Sequence, residues 1–303
     1  MKEISIILCS LFYLCTACNN QDSAENSQKR SGTIQAGGFQ VYYEREGKGE
    51  PILLLHAGFQ DHTMWKDQVD ELSKHYTVIT IDQPFHGNTI GVDTTTQIAD
   101  IIHTVLDNLN INKVSVIGLS MGAGSAQDFV IANPEHVNKC IFISSGVTGY
   151  ERDHKIDSST FAWYPLIMTA MKAGDTSEAA KIFTRVWAEG PYRTADSLKA
   201  PVSQYVYATT LANLKQHKLM GWPTWQRNPP AIDKLGTIKV PVLIIHGDKD
   251  IPFMMESNMF LEKNIPGARR VLVKDVAHML NMEKPAEVNK LIMDFLSENA
   301  VKK

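Results

Sequence analysis

The sequence predicts an α/β fold: a mostly parallel twisted sheet with helices on both faces and a helical segment inserted late in the chain. Three observations carry the prediction. Continuous apolar runs of strand length alternate with helically spaced segments from Pro51 to Ser145. The alternation stops between Gly146 and Lys239, where no buried-strand run occurs but helical segments rich in aromatics and methionine do. It resumes with Val240-Pro241-Val242-Leu243-Ile244-Ile245-His246-Gly247 and continues to the C-terminal end.

Taken in order, Thr33 to Ala36 and Phe39 to Arg45 alternate as a hairpin across Gly37-Gly38, and Pro51 to His56 is a buried run that reads as a central strand. Trp65 to His75 is expected as a helix and Tyr76 to Asp82 as a second buried strand. Thr94 to Leu109 places Ile98, Ile101, Ile102, Val105 and Leu109 on one helical face. Val114, Val116 and Ile117 form the next strand, and Cys140 to Ser145 a further one. In the inserted segment, Asp175-Thr176-Ser177-Glu178 has the spacing of a helix start with a capping box. After it come a helix from Phe253 to Asn264, a strand from Arg269 to Lys274 and a closing helix from Pro285 to Leu296.

Such alternation implies right-handed crossovers, with ligands bound beyond the carboxyl ends of the strands. The strand from Val114 runs into Gly118-Leu119-Ser120-Met121-Gly122, a G-x-S-x-G pattern followed by a helix. A strand that turns into a helix within one residue holds that residue in a strained conformation, and its neighbours two places away must lack bulk. The strain exposes the Ser120 hydroxyl and sets the Met121 N–H beside it at the positive end of the helix. A serine hydroxyl is a poor nucleophile until a base, itself oriented by a third group, takes its proton. Gly247-Asp248-Lys249-Asp250 and Ala277-His278 each follow a later strand, on the same rim as Ser120 and in the chain order serine, acid, histidine.

From Thr33 onward the chain resembles the α/β-hydrolase fold family, in its capped serine form that includes carboxylesterases, enol-lactonases and carbon–carbon bond hydrolases. The resemblance rests on His56-Ala57-Gly58-Phe59, Asp82-Gln83-Pro84-Phe85-His86-Gly87, Gly118 to Gly122, Asn133-Pro134-Glu135-His136-Val137, Gly247 to Asp250, and Ala277-His278 with Glu283-Lys284-Pro285, all in register. It implies Ser120 as nucleophile, His278 as general base and then acid, and Asp250 as orienting carboxylate, with Asp248 and Asp275 as rivals for the last role. It implies an oxyanion hole from the N–H groups of Met121 and of Gly58 or Phe59, and places His56 and His86 as supports for their loops. Ala57 and Phe85 stand where the family more often has glycine. Trp163, Trp187, Trp222 and Trp225 are candidates to line the substrate pocket, the alternative being a small aromatic core of the insertion.

The expected function is hydrolysis of an ester, thioester or lactone of a small, partly apolar substrate through an acyl-enzyme, without cofactor or metal. A serine rather than an aspartate at the elbow sets the chain apart from dehalogenases and epoxide hydrolases of this fold. Carbon–carbon hydrolysis by the same triad, and ligand binding without catalysis, are the competing readings.

The formal net charge is −3, and the Lys/Arg pairs at 29–30, 269–270 and 302–303 are isolated, which argues against a nucleic-acid partner. Ile4 to Leu14 is an apolar run behind Lys2, shorter than the roughly twenty residues a membrane-spanning helix needs and suited to a signal-peptide core. Leu14-Cys15-Thr16-Ala17-Cys18 resembles a bacterial lipobox with Cys18 as the acylated residue. The expected organisation is a signal peptide over 1–18, a polar tether over 19–31, a core formed by 32–146 and 239–303, and a helical cap over 147–238. The protein is then exported and held at a bacterial membrane only by its lipid, with a soluble secreted or periplasmic form as the alternative. Three of the four cysteines fall in the leader; Cys140 is left alone, expected as a small buried hydrophobe without a disulfide. The oligomeric state has no signature in the sequence.

Overall fold

The structure, a computed structural model, describes residues 29–93, 95–154, 162–194, 200–217 and 229–298. Its strands are β1 (Arg30–Ala36), β2 (Phe39–Glu46), β3 (Pro51–Leu55), β4 (Thr77–Ile81), β5 (Ile90–Gly91), β6 (Val114–Leu119), β7 (Val137–Ile143), β8 (Val242–Gly247) and β9 (Arg269–Val273). The helices are α1 (Lys66–Leu72), α2 (Ile98–Asn108), α3 (Met121–Ala132), α4 (Tyr150–Asp153), α5 (Trp163–Lys172), α6 (Thr176–Thr184), α7 (Ala200–His217), α8 (Pro252–Asn264), α9 (Leu280–Glu283) and α10 (Pro285–Ser297).

One sheet runs β1-β2-β4-β3-β6-β7-β8-β9, with the short β5 paired to β2. The hairpin joins at Ala36↔Phe39, and β2 pairs β4 antiparallel; every pairing from β4 to β9 is parallel. Parallel neighbours need crossovers, which is why the central runs had to be apolar on both faces. All residues of β4, β6 and β8 are buried. Trp65, Phe129, Phe142, Leu53 and Ile79 lie fully inside, each contributing about 1.5–3 kcal/mol by its burial. Helix α2 packs on α3, and α1 on α10, covering the strands.

Three boundaries differ from the sequence reading. Strand β7 starts at Val137, not Cys140, and its Lys139 serves the end of α10: its ammonium donates to the carbonyls of Phe295 and Leu296. A 3₁₀ turn, His62–Trp65, precedes α1, capped by Asp61. Helix α2 begins at Ile98 rather than at position 94. Cys140 is a fully buried free thiol whose pKa is pushed up by burial.

Among the described residues between Gly146 and Lys239 there is no strand. Helices α5, α6 and α7 pack on one another in sequence. Asp175 accepts from the Glu178 N–H as the N-cap of α6, but its own N–H goes to the Ala170 carbonyl, so half of the expected capping box forms. Helix α7 is tied to the core by polar contacts: Gln60 donates to Thr210, and Asn213 joins the Phe59 carbonyl to the Gly87 N–H. Among the described residues no helix is long and apolar enough to cross a membrane.

Candidate active site

Ser120 sits between β6 and α3 with φ 55° and ψ −113°, a conformation that a residue with a side chain holds only under constraint. The constraint is visible on both sides. A Cβ on Gly118 would collide with the Gly122 carbonyl, and one on Gly122 with the carbonyl of Leu55 in β3. The Ser120 N–H donates to the Ile143 carbonyl at 2.9 Å, which fixes the elbow to the end of β7. Its side chain is half-buried, and Met121 opens α3 with an N–H that a first helical turn leaves unused.

Strands β8 and β9 are parallel neighbours, so the loops that follow them lie together. The Lys249 N–H reaches the Val276 carbonyl, and a Cβ on Gly247 would collide with that same carbonyl. This close packing brings His278 Nδ1 to 2.8 Å from Asp250 Oδ2, with both side chains buried. Asp250 Oδ1 accepts the Ile251 N–H at 2.8 Å, so the carboxylate is held from its other end. The rivals are occupied elsewhere. Asp248 accepts the Asp275 N–H at 2.6 Å and pairs with Lys249, and Asp275 is an exposed turn residue with φ 56°. His278 Nε2 is buried with no hydrogen-bond partner among the described residues.

The loop after β3 carries Gly58 and Phe59, both buried, Phe59 with φ 58°. His56 braces it: Nδ1 donates to the Ala57 carbonyl and Nε2 accepts the Gln83 N–H, each at 2.8 Å. Burial pushes the His56 pKa down, which suits a neutral ring with one donor and one acceptor. Gln83 completes the brace by donating to the His56 carbonyl and accepting from Ser125 in α3. His86 donates to the Pro84 carbonyl at 2.9 Å, and burial together with nearby His56 pushes its pKa down to about 3. Phe85 has φ 61°, the left-handed backbone that explains a glycine preference there; its ring is buried edge-on against Phe39.

Over this rim lies the segment that follows α6. A π-helical turn, Arg185–Glu189, carries Trp187, whose ring centroid is 4.4 Å from that of His278. Trp163 meets Trp187 edge-on at 5.2 Å, one ring removed from His278. Trp222 and Trp225, like Cys18, lie outside the described residues. Three further features escaped the sequence reading. Phe183 meets Phe59 edge-on at 5.0 Å, and its position one helical turn before Trp187 was the available signal. Arg193 and Glu283 form a buried ion pair at 2.7 Å, and Glu283 also accepts the Ala277 N–H beside His278. Asp61, His62 and Asp82 place one possible metal-ligand atom each within 4.8 Å of one another. Their acceptors already serve protein N–H groups: Asp82 takes those of His62 and Asn88, and Asp61 that of Thr63.

Comparison with known proteins agrees with this architecture. The chain is 26% identical, over 86% of its length and 92% of the relative's, to a 2-hydroxy-6-oxo-6-phenylhexa-2,4-dienoate hydrolase of Comamonas testosteroni. It is also 26% identical to an uncharacterized carboxylesterase of Bacillus subtilis, over 82% of this chain and 79% of that one. The solved structure of an enol-lactonase from Burkholderia xenovorans superposes with a TM-score of 0.69, covering 88% of this chain and 100% of that one at 22% identity, a likeness of fold. Residues 50–285 match the alpha/beta hydrolase fold family, and the chain belongs to it.

Proposed function

We propose that this chain is a serine hydrolase of esters, thioesters or lactones, with Ser120 as nucleophile, His278 as base and Asp250 as orienting carboxylate. The observation that carries the reading is the setting of His278: Nδ1 is engaged by a buried carboxylate while Nε2 has no partner among the described residues, on the rim that also holds a strained, half-buried Ser120. A neutral imidazole whose Nδ1 donates to Asp250 presents its Nε2 lone pair to a hydroxyl, as a general base must. Ser120 Oγ attacks the substrate carbonyl as Nε2 takes its proton. The negative charge on the carbonyl oxygen is met by the N–H groups of Met121 and of Gly58 or Phe59. Collapse releases the alcohol, protonated by His278, and leaves an acyl-serine. Water, deprotonated by the same nitrogen, then frees the acid.

The helical segment over 147–238 acts in this reading as the cap, with Trp187 as its substrate-facing tryptophan. An apolar lining of Trp187, Phe183 and Phe59 favours a small, partly apolar substrate. The carbon–carbon reading has one specific support, the name of the Comamonas relative. Against it, the cap's buried arginine, Arg193, is taken by Glu283 and does not offer itself to a product carboxylate. The test is hydrolysis of p-nitrophenyl acetate together with fluorophosphonate labelling. Wild type should turn over the ester and label at Ser120, and Ser120→Ala should do neither. Activity that survives Ser120→Ala would sink the triad; a labelled enzyme that cleaves a vinylogous diketone and no ester would establish the carbon–carbon reading. Ligand-induced stabilisation without labelling would mean a binding protein.

We also propose export and lipid attachment at Cys18, since the Ile4 to Leu14 run precedes a lipobox-like stretch. Cys18→Ala should move the protein from the membrane to the soluble fraction; a wild type already soluble overturns this.

A further inference from the structure

We propose that the indole N–H of Trp187 donates a hydrogen bond to the leaving oxygen of the substrate, so that the site is tuned to oxygen esters and lactones over thioesters. The proposal rests on the serine-hydrolase reading and narrows it.

Trp187 is 5% exposed, and its Nε1 is buried with no hydrogen-bond partner among the described residues. A buried donor left unmade costs about 1–3 kcal/mol, so a fold that keeps one needs a reason. Trp65 has an unpartnered Nε1 too, but Trp65 lies in the α1 side of the core, where it fills volume. The Trp187 donor is different because of its neighbour. Its ring centroid lies 4.4 Å from that of His278, whose Nε2 is likewise buried and without a partner among the described residues. One buried donor and one buried group able to accept and then donate thus sit on adjacent rings.

Side decides which substrate atom the indole meets. The candidate oxyanion donors come from the loop after β3 and from the first turn of α3. Trp187 instead lies against the imidazole, its ring tilted by 52°, beside the group that hands its proton to the departing atom. A donor there faces the leaving group, where negative charge grows as the tetrahedral intermediate collapses. An oxygen leaving atom accepts such a bond well; a sulfur accepts weakly.

The backbone is arranged to keep the ring in place. The π turn displaces Trp187 from ordinary helical register. Gly190 then leaves the helix with φ +81°, and a Cβ there would lie 2.9 Å from the Lys249 carbonyl and 3.1 Å from the Ala277 Cβ, so the segment is seated directly on the loops of Asp250 and His278. Three residues on, Arg193 pairs with Glu283, which holds the Ala277 N–H. The cap tryptophan and the candidate base are thus fastened to one another through a short closed path of contacts.

The experiment compares ethyl butanoate with S-ethyl thiobutanoate, followed by acid release, for the full chain and for Trp187→Phe. Phenylalanine keeps the ring on His278 and removes the N–H. The expected result is a loss of about tenfold in kcat/KM on the oxygen ester, with the thioester within about twofold and fluorophosphonate labelling of Ser120 retained. An equal loss on both substrates, or none on either, overturns the proposal and assigns the indole a packing role, with its N–H on the face of a neighbouring aromatic. Should Trp187→Phe fail to fold, benzothienylalanine at position 187, with sulfur in place of the N–H, preserves the shape and carries the same comparison. A wild type that hydrolyses neither substrate and is not labelled at Ser120 fails the hydrolase reading itself, and the indole proposal with it.

Discussion

The described residues include two buried histidine–aspartate pairs with the same central contact. His278 Nδ1 lies 2.8 Å from Asp250, and His62 Nδ1 lies 2.8 Å from Asp82. They differ in everything around that contact. His278 Nε2 has no partner among the described residues, and the ring of Trp187 lies against the imidazole. Beyond His62 Nε2 stands Glu44 at 3.5 Å, while Asp82 also accepts the His62 N–H and, through its other oxygen, that of Asn88. Burial opposes a charge on His62, but the bond to Asp82 and the nearby carboxylates Asp82, Glu44 and Asp61 outweigh it and raise its pKa. Burial alone would lift Asp82 as well; the His62 bond and the charges of His56 and His62 hold it below the usual carboxylate range. His62 is therefore built to keep its proton, and a general base must be able to gain one. A cavity of about 530 Å³ even opens beside His62, lined also by Glu44, Thr63, Tyr205 and Met282, so neither a His–Asp pair nor a hollow is by itself a site. What lies across the ring separates the two.

The sharpest way to break this comparison is to neutralise each pair in turn. Asp250→Asn should lower kcat on p-nitrophenyl acetate by about 10³–10⁴, through the wrong imidazole tautomer, while urea midpoints move little. Activity within tenfold of wild type would remove Asp250 from the role given to it. Next in size is the Arg193–Glu283 pair, whose side chains are 5% and 1% exposed. Arg193→Met removes a guanidinium from a buried carboxylate and should cost about 3–5 kcal/mol in urea unfolding. Adding Glu283→Gln, which still accepts the Ala277 N–H, should return about 2 kcal/mol of that loss. A single variant that costs under about 1 kcal/mol would mean the pair does not fasten the segment. Smaller again is His62→Gln, with a loss of about 1–3 kcal/mol because the buried Asp82 loses its imidazole donor, and esterase kcat within about twofold of wild type. A large kcat loss there would make the two pairs alike after all.

The same contrast separates what was legible in the sequence from what was not. Ser120, Asp250 and His278 each follow the carboxyl end of a strand, and a parallel sheet sends such ends to one rim, so a one-dimensional pattern located them. Gly118 and Gly122 were legible because the elbow excludes a Cβ in a single way. Arg193 and Glu283 are ninety positions apart in no periodic frame, and their pairing depends on how the inserted helices settle. Trp187 was visible as a candidate among four tryptophans, but a π turn breaks the 3.6-residue period and hides which way a ring faces. Strand β7 was read short because Asn138 and Lys139 look like loop residues, although Lys139 caps α10 from within the strand.

The smallest effect is the pH dependence of stability, and here the structural histidines oppose one another. His56 and His86 have lowered pKa values, so they stay neutral in the folded chain when an unfolded histidine, near 6.5, takes a proton. Each then withdraws up to about 1.4 kcal/mol per pH unit as pH falls below the unfolded value, and for His86 the loss continues toward pH 3. His62 runs the other way. Its raised pKa gives stability that is complete below the unfolded value and is lost as pH rises through the folded one. Asp82, with a lowered pKa, contributes above its unfolded value and loses that contribution as pH falls through the folded one. Between about pH 5 and 6.5 the His62–Asp82 pair is therefore fully charged while His56 and His86 already weaken the fold. Urea midpoints at pH 5.5, 7 and 9 should fall toward acid for wild type, and the gap between wild type and His62→Gln should be wider at pH 5.5 than at pH 9. A gap that does not change with pH would mean that Asp82 does not hold the His62 ring in its charged form in the folded state.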